Sequence, residues 1–207
     1  VRGRSSGSPP GTSSRAPLSS MWESFVSFLD DVRANEIGNG PRCHVEQMLA
    51  HPESVSLEGE SREMTVLFSD IRSFTSISEG LSAQALKQML NRFFTPITQV
   101  IFDNNGTIDK YVGDMVMAFW NAPLEDRRHA HNAIVTALAM QKRTDDLKQE
   151  FVASGFPEVN IGIGINTGMM NVGDMGSEFR RAYTVLGDAV NLGSRLEGLS
   201  KQYGVTI

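Results

Sequence analysis

The chain contains 207 residues, of which 40% are hydrophobic and 21% are charged. This is enough for one domain with a sizeable core, and it excludes a wholly disordered chain. The first twenty residues carry three arginines and no acid, so residues 21–207 hold sixteen basic against twenty-four acidic residues. This net negative charge argues against a general nucleic-acid-binding domain, and no nucleic-acid partner is expected.

Cysteine content and hydropathy indicate the compartment. Cys43 is the single cysteine, so an internal disulfide is impossible and a reducing, cytoplasmic setting is expected. No apolar run approaches the roughly 20 residues that cross a bilayer. We therefore expect no membrane contact from this chain, and an anchor of the parent protein, if it has one, would lie outside the chain.

Composition divides the chain into three parts. Residues 1–20 contain seven serines, three glycines and three prolines, which predicts a disordered tail. Residues 21–59 predict a helical linker or leader, with amphipathic helices over 21–36 and 44–50. The organised domain is predicted over 60–207, and we expect it to be truncated at its C-terminus because the chain ends inside a further strand-like segment.

Hydrophobic periodicity predicts the elements of this domain in the order β-α-β-β-α-β-β-β-α. They are strands over 64–68, 107–112, 115–120, 159–165, 169–172 and 181–186, and helices over 86–101, over 125–152 and after residue 188. Pro96 is expected to kink the first helix, and Thr167–Gly168 to form a turn. This order predicts an α+β fold of the ferredoxin-like, split βαβ kind, with helices over one face of a mainly antiparallel sheet.

The helices also predict local features. Glu125 and Asp126 are expected in the first turn of the second helix, where acids favour the helix dipole. The buried face of the helix over 125–152 is expected to contain Ala130, Ala133, Ile134, Ala137 and Leu138. The buried face of the helix after residue 188 is expected to contain Leu192, Leu196 and Leu199.

Two aspartates stand at strand ends. Asp70 follows the first strand, and Asp114 lies in the Gly-Asp turn of the predicted hairpin. If these strands are neighbours, both carboxylates project from one edge of the sheet, where their oxygens suit Mg²⁺ or Mn²⁺ and a two-metal phosphoryl transfer. For either aspartate alone, a turn-forming role is an equally good interpretation.

Two further features are weaker when taken singly. The polar loop predicted over 71–76 offers backbone N–H groups, those of Phe74 and Thr75 included, for a substrate phosphate. Asn191 and Arg195 lie four residues apart and so on nearly the same side of the last helix. The Arg can neutralise a phosphoryl group and the Asn can orient a sugar oxygen, although a solvated helix face is the simpler interpretation of this pair.

Four ordered segments resemble the catalytic domain of the class III adenylyl and guanylyl cyclases. They are 66–75 (VLFSDIRSFT), 109–119 (DKYVGDMVMAF), 162–168 (GIGINTG) and 183–197 (YTVLGDAVNLGSRLE). The resemblance covers residues from about 44 to 207. It implies the class III cyclase fold and a lyase that converts ATP into 3′,5′-cyclic AMP and pyrophosphate in intracellular signal transduction.

The resemblance also implies roles for individual residues. Asp70, Asp114 and the Ile71 carbonyl would bind two Mg²⁺ or Mn²⁺ ions per site. Asn191 and Arg195 would stabilise the transition state. Lys110 and Thr184 would contact the purine. It implies a homodimer with two shared active sites. In each site, the metal aspartates of one protomer face the purine and transition-state residues of the other.

The chemistry of the purine pair indicates ATP. Adenine has an acceptor at N1 and a donor at its 6-amino group, whereas guanine has a donor at N1 and an acceptor at O6. Lysine only donates, and a threonine hydroxyl can accept, so Lys110 with Thr184 fits adenine. The alternative for Lys110 is an ion pair with Asp109.

Some alternatives stay open. The family's phosphate-binding Lys is expected beyond Arg195, past Ile207, and Arg180 and Arg181 lie near the position of a phosphate-contacting Arg without a definite register. A catalytically silent cyclase-fold dimerisation or sensor module is one alternative, and guanylate cyclase is another. A diguanylate-forming palm domain is a third, although its hairpin would read Gly-Gly-Asp/Glu-Glu-Phe.

Overall fold

The computed structural model of the chain describes residues 59–177 and 180–207. Its elements are β1 (Glu60–Ile71), α1 (Phe74–Glu79), α2 (Ala83–Asp103), β2 (Thr107–Val112), β3 (Met115–Trp120), α3 (His129–Ala153), β4 (Ile161–Ser177), β5 (Arg180–Leu186) and α4 (Asp188–Tyr203). The tail predicted over 1–20 and the helices predicted over 21–36 and 44–50 lie outside the described residues. Within the described part, no helix has the length and apolar character needed to cross a membrane.

The described strands form one sheet in the order β2-β3-β1-β4-β5, and every neighbouring pair is antiparallel. Strand β1 is central because its residues 64–68 are all buried and carry apolar or β-branched side chains. Near its end, Ser69 pairs with Val116 of β3, and Asp70 pairs with Gly162 of β4. The predicted α+β fold with an antiparallel sheet is confirmed.

The larger hydrophobic core lies between one face of the sheet and helices α2 and α3. The helical periodicity predicted for α2 is observed, and the helix spans Pro96 as one element. The buried residues of this core include Leu67, Val116, Trp120 and Ile163 from the sheet, Met89, Phe93, Ile97 and Ile101 from α2, and Ala133, Ala137, Met140, Leu147 and Phe151 from α3.

Helix α4 packs on the opposite face of the sheet, so the helices do not all cover one face as predicted. Val66 and Phe68 point to that face, and they form a second core with residues that include Phe119, Met170 and Val190. Since side chains alternate along a strand, a central strand with buried side chains at consecutive positions needs cover on both faces.

Strand β4 is continuous over 17 residues, and the turn predicted at Thr167–Gly168 is wrong. Gly168 pairs with Met64 of β1, and the pairing continues through the predicted turn to Val172. The Thr167 hydroxyl lies 2.7 Å from that of Thr65 in a side-chain hydrogen bond. These bonds to a long neighbouring strand keep an otherwise turn-like sequence extended.

Helix α3 begins at His129, so Glu125 and Asp126 precede it and the prediction that they lie in its first turn is wrong. The Asp126 carboxylate accepts hydrogen bonds of 2.8 Å from the Arg128 backbone and from the Asn132 side chain. An aspartate that binds nearby groups in this way favours a turn over a continued helix.

The predicted apolar faces are confirmed only in part. Ala133 and Ala137 are buried as predicted. Four residues predicted to be buried are exposed instead, namely Ile134, Leu138, Leu192 and Leu199. Helix α4 instead buries Val190, Gly193 and Ser200. Small residues therefore face the sheet, whereas Leu192 and Leu199 face outward and Leu196 is half-buried.

No strand forms at residues 204–207, where a further strand was expected to begin. The Thr206 carbonyl nevertheless accepts a hydrogen bond of 2.7 Å from the backbone N–H of Ile163 in β4. This segment is therefore attached to the first half of β4 by its backbone.

Helix α4 approaches β4 closely at Gly164. A Cβ placed there would overlap the Gly193 carbonyl oxygen and the Glu197 backbone nitrogen, and would lie 2.8 Å from the Glu197 Cα. These are backbone atoms of one helix and cannot move aside singly. Any side chain at position 164 must displace α4 from the sheet.

We predict that Gly164→Ala lowers the free energy of unfolding by about 1–3 kcal/mol, because the added methyl group overpacks this contact. The matched control is Gly198→Ala in α4, where a Cβ meets nothing within 4 Å. That change should raise the free energy of unfolding by about 0.5–1 kcal/mol, the usual gain when Ala replaces Gly within a helix. Urea unfolding monitored by circular dichroism measures both, and effects of the same sign would contradict the prediction.

Candidate active site

The two predicted metal-binding aspartates lie beside each other. Asp70 and Ile71 are the last residues of β1, and Asp114 lies in the turn between β2 and β3. Gly113 has a φ of 65°, which allows the chain to reverse tightly there. Because β3 pairs with β1, this turn reaches the end of β1, and the Ile71 N–H donates a 3.2 Å hydrogen bond to Asp114 Oδ2.

The surroundings of Asp114 disfavour its ionised form. Burial, a hydrogen bond with Asp70 and the negative charge of Asp70 together raise the pKa of Asp114 to about 7. The hydrogen bond from the Ile71 backbone acts in the opposite direction. Two adjacent carboxylates are stable only with a proton or a cation between them.

This donor set fits a divalent cation of the Mg²⁺ type. Asp70 and Asp114 offer carboxylate oxygens, the ligands that Mg²⁺ and Mn²⁺ prefer. Among residues 59–177 and 180–207, no group of three or more His, Cys, Asp or Glu residues could hold a metal ion. The pair would therefore contribute one or two ligands to each ion and leave the remaining positions to water and phosphate, as is usual for Mg²⁺.

The segment after Asp70 is partly helical, so the polar loop predicted over 71–76 is too long. Ser73 has a φ of 57°, and α1 begins directly after it at Phe74. The Phe74 side chain packs against the larger core, and Thr75 is exposed. Since N–H groups in a first helical turn lack helical partners, the backbone at Phe74 and Thr75 can still bind an anion.

Arg72 connects this segment with α4, a contact that sequence reasoning missed. Its guanidinium donates to Glu197 Oε1 at 3.1 Å and to the Ser200 hydroxyl, and its backbone N–H donates to the Asn160 carbonyl at 2.8 Å. Burial raises the pKa of Glu197, and the charge of Arg72 opposes that rise. The sequence signal for the contact between Arg72 and Glu197 was only their opposite charge, at a separation of 125 residues.

Asn191 and Arg195 lie on the outer face of α4. At about 100° per residue, they stand on the side of the helix opposite to the buried residues. Both are exposed, whereas Val190, Gly193 and Ser200 are buried against the sheet. Their side chains therefore point away from the sheet and from the aspartate pair of their own chain.

Lys110 and Thr184 meet, although they belong to the two edge strands of the sheet. Lys110 Nζ lies 3.4 Å from Thr184 Oγ1, so the sheet curls until β5 reaches β2. The ion pair considered as an alternative for Lys110 is also present, with Nζ 3.2 Å from Asp109 Oδ1. Thr184 donates to Asp109 Oδ2 at 2.6 Å, a contact that sequence reasoning missed.

The structure thus forms two clusters and one separate surface. The predicted metal ligands Asp70, Ile71 and Asp114 form the first, which we call the metal cluster. The predicted purine contacts Lys110 and Thr184, together with Asp109, form the second, which we call the purine cluster. The separate surface is the outer face of α4, which carries Asn191 and Arg195.

Comparisons with known proteins identify relatives of this chain by sequence and by fold. The chain is 43% identical over 146 residues to adenylate cyclase 1 of Rhizobium meliloti (strain 1021), covering 70% of this chain and 22% of that protein. It is similar to the crystal structure of the adenylyl cyclase CyaB from P. aeruginosa, with a TM-score of 0.67, 41% identity, and coverage of 69% of this chain and 74% of that one. It is also similar to the guanylyl cyclase Cya2, with a TM-score of 0.66, 38% identity, and coverage of 68% and 72%.

The chain spans less than a third of the length of the curated relatives it matches, for example 22% of the Rhizobium protein and 29% of an adenylate cyclase of Anabaena cylindrica. A family model described as the adenylate and guanylate cyclase catalytic domain matches residues 58–207, which contain both clusters and all of α4. The chain therefore belongs to the adenylate and guanylate cyclase catalytic domain family.

Proposed function

We propose that the domain is an adenylate cyclase that converts ATP into 3′,5′-cyclic AMP and pyrophosphate. The observation that carries this proposal is the contact between Lys110 Nζ and Thr184 Oγ1 at 3.4 Å, which forms a donor and acceptor pair complementary to adenine. The aspartate pair at the end of β1 supports phosphoryl transfer as the reaction class.

In the proposed reaction, the ribose 3′-oxygen attacks the α-phosphorus in line, and the bond from this phosphorus to the bridging oxygen of the β-phosphate breaks. The 3′-hydroxyl loses its proton to solvent, and pyrophosphate leaves. The chain must therefore hold the purine, orient the ribose and stabilise charge at the α-phosphate.

Asp70, Asp114 and the Ile71 carbonyl would hold two Mg²⁺ or Mn²⁺ ions, and cyclases of this family are metal dependent in general. When bound, such ions supply positive charge that lowers the pKa of the 3′-hydroxyl and offsets the charge of the triphosphate. The backbone at Phe74 and Thr75 would contact the phosphates from the start of α1.

Asn191 and Arg195 would orient the ribose and neutralise the α-phosphate in the transition state. Because they face away from the aspartate pair of their own chain, we assign them to the site of a second protomer. The active form is then a homodimer with two shared sites. Dimeric cyclase domains are general in this family, which supports the assignment.

The choice of ATP over GTP rests on the purine cluster. Solved structures similar to this chain include both an adenylyl and a guanylyl cyclase, so the fold alone does not select the base. The name of the Rhizobium relative supports ATP. Lys110 offers only donors, which suits adenine N1.

We predict that Asp70→Asn and Asp114→Asn each lower cyclic AMP formation by at least about 100-fold, because each removes a charged ligand from the metal cluster. Cyclic AMP is measured with Mn²⁺ and ATP, and Mn²⁺ binding by electron paramagnetic resonance titration. Asp103→Asn, which changes an exposed acid on α2, is the control and should keep full activity. Undiminished Mn²⁺ binding by both variants would contradict the assignment.

A mixture of protomers tests the shared site. Asp70→Ala and Arg195→Ala should each be nearly inactive alone, because each homodimer lacks an essential residue in both sites. Equal mixing should restore about a quarter of wild-type activity, since half of the dimers are mixed and each of these has one intact site. If the mixture stays as inactive as its components, the sites are not shared.

Lys110→Met should lower kcat/KM for ATP by about 10- to 100-fold, the usual effect of losing a charged hydrogen-bond donor. The expected effect on Mn²⁺ binding is small because the metal cluster is separate. Lys142→Met, an exposed lysine of α3, is the matched control. Steady-state kinetics with ATP and GTP measures the effect, and an unchanged preference for ATP would refute the role of Lys110.

A further inference from the structure

Asp109 is a buried carboxylate that the proposed reaction does not use directly. Its side chain has no exposed surface, although it lies on the edge strand β2. The register between β2 and β3 shifts between Ile108 and Lys110, so Asp109 lies at a β-bulge. Consecutive strand residues normally point to opposite faces, and the bulge allows Asp109 and Lys110 to reach the same partner.

That partner is the hydroxyl of Thr184. Asp109 Oδ2 accepts a hydrogen bond from this hydroxyl at 2.6 Å, the short distance typical of a hydrogen bond to a carboxylate. The other oxygen, Oδ1, lies 3.2 Å from Lys110 Nζ. This ion pair is close but is not aligned as a hydrogen bond, and Oδ1 accepts none from the residues that the structure describes.

The contact removes an ambiguity in the chemistry of Thr184. A free threonine hydroxyl can donate its proton to guanine O6 or accept one from the adenine 6-amino group, so by itself it does not distinguish the two bases. Once the Thr184 hydroxyl donates its hydrogen bond to Asp109, its oxygen can only accept from the base. Lys110 Nζ lies 3.4 Å away as a donor to one lone pair, and a second lone pair remains for the base.

We infer that Asp109 is a positioning residue that sets the purine specificity by holding the Thr184 hydroxyl as an obligate acceptor. The purine cluster then offers the lysine donors to adenine N1 and the threonine lone pair to the adenine 6-amino group. The same lone pair would face the lone pairs of guanine O6, which is unfavourable. This inference rests on the proposed function in taking Lys110 and Thr184 as the residues that contact the base.

The test measures binding of nucleotides that cannot cyclise. 3′-Deoxy-ATP and 3′-deoxy-ITP lack the attacking hydroxyl, and inosine has the O6 and N1–H of guanine without its 2-amino group. Isothermal titration calorimetry with Mn²⁺ gives the ratio of their dissociation constants. Cyclic AMP formation from ATP is measured in parallel on the same proteins.

Asp109→Asn should lower the preference for the adenine nucleotide by about 10-fold, mainly by tighter binding of the inosine nucleotide. The ammonium group of Lys110 attracts the amide oxygen, so the amide NH₂ faces Thr184 and frees the threonine proton for O6. Asp109→Ser, which shortens the side chain, should act in the same direction and replaces the Asn variant if that variant does not fold. Asp103→Asn should leave the ratio unchanged.

A double-mutant cycle separates this role from a general structural one. With Thr184→Val, which lacks the hydroxyl, adding Asp109→Asn should change the ratio by less than about twofold. A shift of the same size with and without the hydroxyl would overturn the inference, because Asp109 would then act by another route. An unchanged ratio in the single Asp109 variants would also overturn it.

The two proposals fail in different ways. If the wild-type chain forms no cyclic AMP but the binding ratio shifts as expected, the proposed reaction is wrong and the role of Asp109 stands. If the wild-type chain is active and the Asp109 variants keep the wild-type ratio, the reaction stands and the role of Asp109 is wrong.

Discussion

Helix α4 occupies its position only because no side chain separates it from strand β4 at Gly164. With the helix at this distance, Glu197 faces the sheet, where Arg72 donates to it from the residue next to Ile71. The opposite face of the same helix then carries Arg195 outward. One close backbone contact thus sets where the proposed transition-state residues point, and the Arg72 ion pair links their helix to the end of β1 that carries the proposed metal ligands.

The curl of the sheet is the second constraint on the site. In a flat sheet, β2 and β5 would lie about 19 Å apart, since four spacings of about 4.8 Å separate them. Instead Lys110 and Thr184 are in contact at 3.4 Å. The cause is the length of β4, which pairs with β1 as far as Val172 and with β5 from Asn171 to Ser177. Its second half carries β5 toward β2, and the ring centroids of Tyr183 in β5 and Phe119 in β3 lie 6.3 Å apart.

Sequence patterns predicted those parts of the fold whose signal is local. The bounds of β2 and β3 were predicted correctly around the Gly113–Asp114 turn, because a short strand-like run and a glycine at positive φ are both encoded within a few residues. The turn predicted at Thr167–Gly168 was wrong because pairing with β1, about one hundred residues away, decides the conformation of that segment. The outward leucines of α4, Leu192 among them, were misplaced because small residues were needed at the sheet.

The sequence by itself determined the family, the fold class and the chemical types at the site: two aspartates at strand ends, and a lysine with a threonine suited to adenine. The tertiary structure alone decided how those groups are held. Thr184 donates a hydrogen bond to Asp109, which lies 75 residues earlier in the chain, and Arg72 donates one to Glu197, which lies 125 residues later. A hydrogen bond needs its partners within about 3 Å and in line, and between distant segments only the packed fold sets that geometry.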